Sequence, residues 1–183
     1  MHLQTHALAS WLLAEAGPAS MTRRDRALVL AAGLAPDLDA LSLIGGIGAY
    51  QKWHHLVLHN VGGAAMTALV CVALARSRLA VLVLSLLSFH LHLLLDLLGS
   101  GGPDGSVWSI PYLVPFTSHE FSWRGQWPLG SWQNVTVTAL LVLASWAVAV
   151  RRGRTVVEAF SPRADAVVVE ILKRRWPFGT GTR

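Results

Sequence analysis

The sequence predicts an all-α integral membrane protein, a small helical bundle with about three full-length spans and two shorter N-terminal helices. Of its 183 residues, 53% are hydrophobic and only 14% are charged, and the mean hydropathy is +0.47. Soluble domains usually carry about 25% charged residues. Much of the surface must therefore face something other than water. A soluble helical protein with a large core is the alternative, and we favour lipid.

The two N-terminal helices are delimited by proline and by a capping residue. The first is predicted over residues 3–16 and ends at Gly17-Pro18. The second begins near Arg23, behind a Thr22 cap, and stops at Pro36. About 14 residues at 1.5 Å each span roughly 20 Å, less than a bilayer core of about 30 Å. These helices could lie at the membrane surface or cross it only in part.

Longer apolar runs follow, and each ends at a basic or polar segment. A run of about 20 apolar residues is long enough to cross a bilayer as a helix. We expect three such spans, the first continuing from the histidine-rich segment through residues 61–75, the second over 79–98 and the third over 133–150.

The connections differ in composition from the spans. Residues 42–50 are rich in glycine and predict a flexible link. Residues 99–132 are rich in glycine, proline and tryptophan and predict a long loop that is functional or lies on the membrane interface. We assign residues 1–154 to a membrane-embedded domain and residues 155–183 to a basic amphipathic tail, with its amphipathic stretch over Val167–Trp176.

The leucine run of the second span contains an imidazole and a carboxylate. His92 and Asp96 are four residues apart, so they lie one turn apart on the same helix face. An ionisable group in such a run is unfavourable unless it is paired or bound to a cation. The two side chains can ligate one metal ion together, and a buried hydrogen-bonded pair is the alternative.

Further candidates lie in two short segments. Asp37 and Asp39 face the same way if the chain is extended, although an N-cap role explains one of them. His55 and His59 are one helical turn apart. His54 suits a ligand pair with His59 only if His54 lies in the loop before the helix.

Arginine clusters at alternate turns of the chain predict the topology. They lie at residues 23–26, 76–78 and 151–154, and positive charge marks the cytoplasmic side. All the candidate ligands then fall at the opposite, outer end. The sequence therefore predicts a multi-pass inner-membrane protein with an extracytoplasmic site. The net charge of +5 is assigned to cytoplasmic loops, and no nucleic-acid partner is expected.

Several histidines with two or three aspartates form a mixed nitrogen and oxygen ligand set. Such a set suits zinc, with manganese or iron as alternatives, better than calcium or magnesium. The candidates exceed the four ligands of one zinc, so one to three ions could be held, with a carboxylate as a bridge. A site with an open position can polarise a phosphoryl or carbonyl oxygen and bring the pKa of bound water to about 7.

Four elements in order carry a family resemblance: Thr5-His6, Pro36-Asp37-Leu38-Asp39, His54-x4-His59 and His92-x3-Asp96. The pattern, over roughly residues 1–120, resembles the YdjM-like family of membrane-bound metal-dependent hydrolases, also described as LexA-binding and inner-membrane-associated. The family is thought to be distantly similar to zinc-dependent phospholipase C and the P1-type nucleases. The resemblance implies a hydrolase that acts on an ester.

The resemblance also implies roles for single residues. Asp39 would be a ligand or the catalytic base, and His55, which stands where the family usually has arginine, is a possible substitute ligand. The family usually has Thr-His-Ser around the second histidine, and here Leu58 and Asn60 flank it. The implied metal ligands are His6, Asp37, His54, His59, His92 and Asp96.

The function hypothesis is a membrane-bound hydrolase that uses metal-activated water on an ester, with a phosphoester or a phospholipid as the candidate substrate. Its expected partners are the lipid bilayer and that substrate; the sequence does not specify the oligomeric state. One alternative is a non-catalytic membrane protein with a structural metal or a haem between His59 and His92. A transporter would need polar groups along the whole depth of the spans, and residues 64–87 and 135–150 contain few.

Overall fold

A computed structural model describes residues 1–175, apart from the side chain of Gln51, and the all-helical prediction is confirmed for this part of the chain. The backbone pairs as β-structure only at two isolated bridges within it. The α-helices are α1 (Leu3–Glu15), α2 (Arg23–Leu34), α3 (Ile47–Trp53), α4 (Val61–Leu74), α5 (Arg78–Gly99), α6 (Trp132–Arg152) and α7 (Pro162–Arg175). Two 3₁₀ helices cover Pro36–Gly45 and Val156–Ala159.

The two short N-terminal helices form where they were expected. The Thr22 side chain accepts a hydrogen bond from the Asp25 amide, and the Asp25 carboxylate accepts one from the Thr22 amide at 2.9 Å. This reciprocal capping box fixes the start of α2. After Leu34 the chain bends by 54° into the first 3₁₀ helix, because Pro36 cannot continue an α-helix.

Within residues 1–175, α5 and α6 are long and apolar enough to cross a bilayer, and α2 with the first 3₁₀ helix would add a third, broken span. The prediction of a full-length span before Arg76 is wrong. Helix α4 has 14 residues. It starts at Val61 because the Asn60 side chain accepts a hydrogen bond from the Gly63 amide and caps it.

Helix α5 lies at the centre of the bundle, packed against α1, α2 and α4. One apolar cluster joins α5 through Val81 to α1 and α2, and another joins it through Phe89 to Ile110 in the long loop. The first cluster holds the N-terminal half of α5, and the second holds its C-terminal half, with His92 and Asp96, against α4 and the long loop. We call this end of the bundle the site end.

The opposite end, which we call the basic end, is held by a buried ion cluster. The Arg26 guanidinium donates to both carboxylate oxygens of Glu158 at 2.7 Å, and Arg152 and Arg154 donate to the buried Glu15. The cluster ties α1, α2 and α6 to the second 3₁₀ helix. Three of the arginines in the predicted cytoplasmic clusters are therefore paired with buried carboxylates.

The connections are more ordered than their composition suggests. Residues 42–50, predicted to be flexible, are mostly helical, and Gly46 links the first 3₁₀ helix to α3 with a φ of +93°. The long loop is held by Asn134, whose amide donates to the carbonyl of Gly99 at 2.8 Å. In the tail, α7 forms the predicted amphipathic helix, and Trp176 lies outside the described residues.

Candidate metal centre

Asp96 lies at the centre of the site and is 3% exposed. One carboxylate oxygen, Oδ1, is 3.1 Å from His6 Nε2. The other, Oδ2, is 3.0 Å from His92 Nε2, 3.5 Å from His59 Nε2 and 3.8 Å from His55 Nε2. Imidazoles from α1, α5 and the loop before α4 thus surround one carboxylate. Oδ1 is also contacted by the Met1 amino group and by the Ser100 hydroxyl, which donates at 2.8 Å.

These side chains form two groups of potential ligands within the described residues. In each group, one nitrogen or oxygen atom from every member lies within 4.8 Å of the others. A carboxylate with two oxygens can bridge a pair of cations, and Asp96 is the residue that the groups share. The first group is His6, Asp37, His92 and Asp96, and the second group is His55, His59 and Asp96.

Buried polar atoms without hydrogen-bond partners fit this interpretation. Among the described residues they include His59 Nε2, His92 Nε2 and Asp37 Oδ2. The large majority of buried side-chain polar atoms in proteins have a partner, so the concentration of these unpartnered atoms in one place needs an explanation. Imidazole nitrogens and carboxylate oxygens are ligands that zinc accepts, and a bound cation would satisfy them together.

The ring of His92 is fixed by the backbone of α2. Its Nδ1–H donates to the Gly33 carbonyl at 2.7 Å, which leaves Nε2 directed at Asp96. This is a typical arrangement for a metal-binding histidine. The close packing of α2 against α1 and α5 at this point requires glycine at position 33, because a Cβ there would lie 1.9 Å from Ser10 Oγ and 2.4 Å from Ser88 Oγ.

Asp39 fixes the ring of His59 in a similar way. Its Oδ2 accepts from His59 Nδ1 at 3.0 Å, and the carboxylate also accepts from the amides of Val57 and Leu58 at 3.1 and 2.9 Å. The expected extended segment is a 3₁₀ helix, so Asp37 contributes to the first group while Asp39 lies behind His59. The family resemblance implied that Asp39 is a ligand or the base; its contacts suit a positioning residue, and it belongs to neither group.

We expect Asp39→Asn to weaken metal retention by about 10- to 100-fold without abolishing it, since the His59 ring loses a charged partner that orients it. Dialysis of the purified variant against graded chelator, followed by elemental analysis, measures this. Asp104→Asn, in the exposed part of the long loop, is the matched control. Equal retention by both variants would show that Asp39 does not act on the centre.

His55 and His59 lie in a loop and not on a helix, with their ring centroids 4.3 Å apart. The prediction of a helical pair is therefore wrong. Residues 54–60 form turns between α3 and α4, and His55 has a φ of +69°. His54 belongs to neither group; its ring stacks on Tyr50 at 4.5 Å between centroids and contacts the ring of Trp108. The resemblance favoured His54 as the ligand, and the geometry places His55 beside Asp96 instead.

Burial and electrostatics set the protonation of these imidazoles. Burial lowers the pKa of His54 to about 4, with a further contribution from the nearby His59. Burial also lowers the pKa of His55 well below its usual value. At His59 burial acts in the same direction, but the hydrogen bond to Asp39 and the negative charge of the nearby Asp96 outweigh it and raise the pKa.

A pocket of about 450 Å³ adjoins the centre and shares His55 with the second group. Lys52 and Glu120 both lie on its wall. Trp108 packs edge-on against His55 at 5.1 Å between ring centroids. No spacing signal links these residues, because helix α3 and the long loop bring them together. The lining residues are Lys52, His54, His55, Leu56, Val107, Trp108, Ser109, Pro111 and Glu120.

Comparison with known families agrees with this arrangement of motifs. The family model described as YdjM inner membrane protein matches residues 1–177. The chain belongs to this family. The match extends well past the roughly 120 residues over which the resemblance was recognised. Membership of the YdjM family and two apolar helices of spanning length together indicate that the chain is a membrane protein.

No curated protein and no solved structure matches the chain. The YdjM family description gives no catalytic information. Binding to LexA and the distant similarity to phospholipase C and the P1-type nucleases therefore stay predictions.

Proposed function

We propose that this YdjM-family protein is a membrane-bound, metal-dependent hydrolase that cleaves an ester, with zinc at the two groups of ligands. One observation carries the proposal: the groups share Asp96 and reach a pocket of about 450 Å³ through His55. A structural metal site is normally closed by its protein ligands, whereas a catalytic site keeps a position open to substrate.

The ligands of the candidate centre and the residues of the pocket wall have distinct parts in this proposal. His6, Asp37, His92 and Asp96 would hold one cation, and His55 and His59 the second, with Asp96 common to both. When bound, zinc supplies Lewis acidity and activates water as the nucleophile. Lys52 places a positive charge on the pocket wall. Glu120 offsets that charge with a negative one, so a preference for a negatively charged phosphoester over a neutral carboxylic ester would come from the bound cations.

The haem alternative does not fit the geometry. The rings of His59 and His92 meet edge to face with centroids 5.3 Å apart, and His6 stacks on His92 at 3.7 Å. A haem plane has no room between such rings. A structural metal remains the second candidate, favoured by the burial of His59, His92 and Asp96, which are at most 3% exposed.

We expect chelation to abolish hydrolysis of a soluble phosphodiester such as bis(p-nitrophenyl) phosphate, and zinc to restore it. The purified protein, depleted with a chelator and then reloaded, is assayed at each stage, with metal content measured in the same samples. Unchanged hydrolysis by the depleted protein would contradict the proposal. Full metal loading without hydrolysis of any phosphoester or carboxylic ester tested would favour the structural metal.

We also propose that the site end faces away from the cytoplasm. The basic end carries Arg23, Arg24, Arg76 and Arg78 in addition to the ion cluster. Short basic segments beside spans are retained on the cytoplasmic side. The centre would then lie on the extracytoplasmic side of the inner membrane.

A further inference from the structure

The segment that carries Asp37 and Asp39 also presents an exposed apolar surface. The large apolar side chains of the first 3₁₀ helix and of the start of α3 are more than half exposed, up to 88% at Ile44. Residues 40–51 contain no charged residue. A contiguous exposed patch of this kind marks contact with a partner or a membrane. We call it the apolar lip and define it as Leu38, Leu41, Leu43, Ile44 and Ile47.

The depth of the lip follows from helix lengths. Helix α6 rises by about 30 Å between Arg152 and Trp132, the thickness of a bilayer core, and Trp132 is 72% exposed, as expected for an interfacial tryptophan. On α2, the rise from Arg26 to Leu34 is only about 12 Å. The lip therefore begins well below the level of Trp132.

The candidate centre lies at a similar depth. From the basic end, α1 rises by about 14 Å between Glu15 and His6, and α5 rises by about 21 Å between Arg78 and His92. Both values are less than the core thickness of about 30 Å. The ligands therefore lie beneath the membrane surface, where a substrate dissolved in lipid can reach them from the side.

The lip lies between helices that expose apolar side chains and the wall of the pocket. The 3₁₀ helix packs against α2 and α5, and α4 and α5 also expose apolar side chains, such as Leu69 and Leu87. On the other side, the 3₁₀ helix holds Asp37, and the end of α3 leads to Lys52 and His54 in the pocket wall. A molecule that crosses the lip thus passes from hydrocarbon to the centre.

We infer that the apolar lip lies in the hydrocarbon region of the bilayer and that the substrate is a lipid-borne ester, which enters the pocket sideways over the lip. The identity of the substrate rests on the proposed hydrolase function. The position of the lip does not, because it can be measured without any reaction.

A depth measurement tests the position of the lip. Ile44→Cys in a Cys71→Ala background is labelled with a fluorophore, and the full chain is reconstituted into phospholipid nanodiscs. The Ile44 label should be quenched by lipids brominated on the acyl chain and protected from aqueous iodide. Labels at Leu140→Cys, in the middle of α6, and at Asp104→Cys, in the long loop, define the lipid and water limits. A label at Ile44 that behaves like the one at Asp104 would overturn the inference.

A pair of esters tests the route of entry. Two phosphodiesters with the same head group are compared, one short-chain and soluble and one long-chain and held in the bilayer. The double variant Ile44→Asn, Ile47→Asn should lose about tenfold in rate on the long-chain ester and keep its rate on the soluble one. Phe160→Asn, equally apolar and 77% exposed at the basic end, should change neither.

The outcomes separate the two levels of the proposal. An equal loss on both esters, or no loss on either, would overturn entry over the lip. A lip label in hydrocarbon together with no hydrolysis of either ester by the metal-loaded wild type would refute the proposed function and leave the position of the lip standing.

Discussion

Asp96→Asn is expected to remove bound metal from both groups at once. Asp96 is the shared member, and its two oxygens face His6 on one side and three imidazoles on the other. An amide has no negative charge to offset two divalent cations, and its NH₂ group is not a ligand. Elemental analysis of the purified variant should give less than about a tenth of the wild-type zinc content.

Two controls make this result specific. Asp104→Asn changes the same functional groups in the exposed long loop and should retain all the metal. Asp96→Glu keeps the carboxylate and should recover part of the binding, which distinguishes a lost ligand from a lost fold. A folded, membrane-inserted Asp96→Asn protein with its full metal content would show that the carboxylate is not a ligand.

His92→Ala and Asp37→Ala are expected to remove the ion of the first group and to reduce hydrolysis by about a thousandfold or more. Metal catalysis contributes several kcal/mol of transition-state stabilisation, and each 1.36 kcal/mol is about a factor of ten in rate. Metal content and hydrolysis rate measured on the same preparations test this. Both variants should still insert into the membrane, because α5 and α6 keep their apolar length.

The neighbouring histidines provide the matched comparison. His55→Ala should remove the ion of the second group, since His55 Nε2 faces Asp96. His54→Ala should retain all the metal and alter only KM, because His54 lines the pocket and belongs to neither group. Metal loss in His54→Ala with full retention in His55→Ala would reverse the assignment and restore the ligand that the family resemblance favours.

Local patterns allowed much of the bundle to be predicted. The capping box at Thr22, the breaks at Gly17-Pro18 and Pro36, and the apolar run of α5 each depend on residues close together in the chain. The pairing of His92 with Asp96 also follows from helical spacing, and they face each other at 3.0 Å. These features need no knowledge of tertiary packing.

The remaining features depend on contacts between distant segments. The positive φ of His55 turns the 54–60 loop, so helical spacing could not show which histidine faces Asp96. Asp39 is 18 and 19 residues from the amides that it binds, and this places it behind His59. The length of α4 was overestimated because the apolar residues of the histidine-rich segment were taken as the start of the span. That segment forms turns instead, and the Asn60 side chain stabilises them by donating hydrogen bonds to the carbonyls of Leu56 and Val57.

Elemental analysis of the wild-type protein, purified without added metal and without chelator, tests the candidate centre most directly. Two zinc equivalents per chain are expected, with X-ray absorption showing imidazole nitrogen and carboxylate oxygen ligands. A well-folded preparation that hydrolyses its ester while containing no stoichiometric metal would contradict the assignment of these histidines and aspartates.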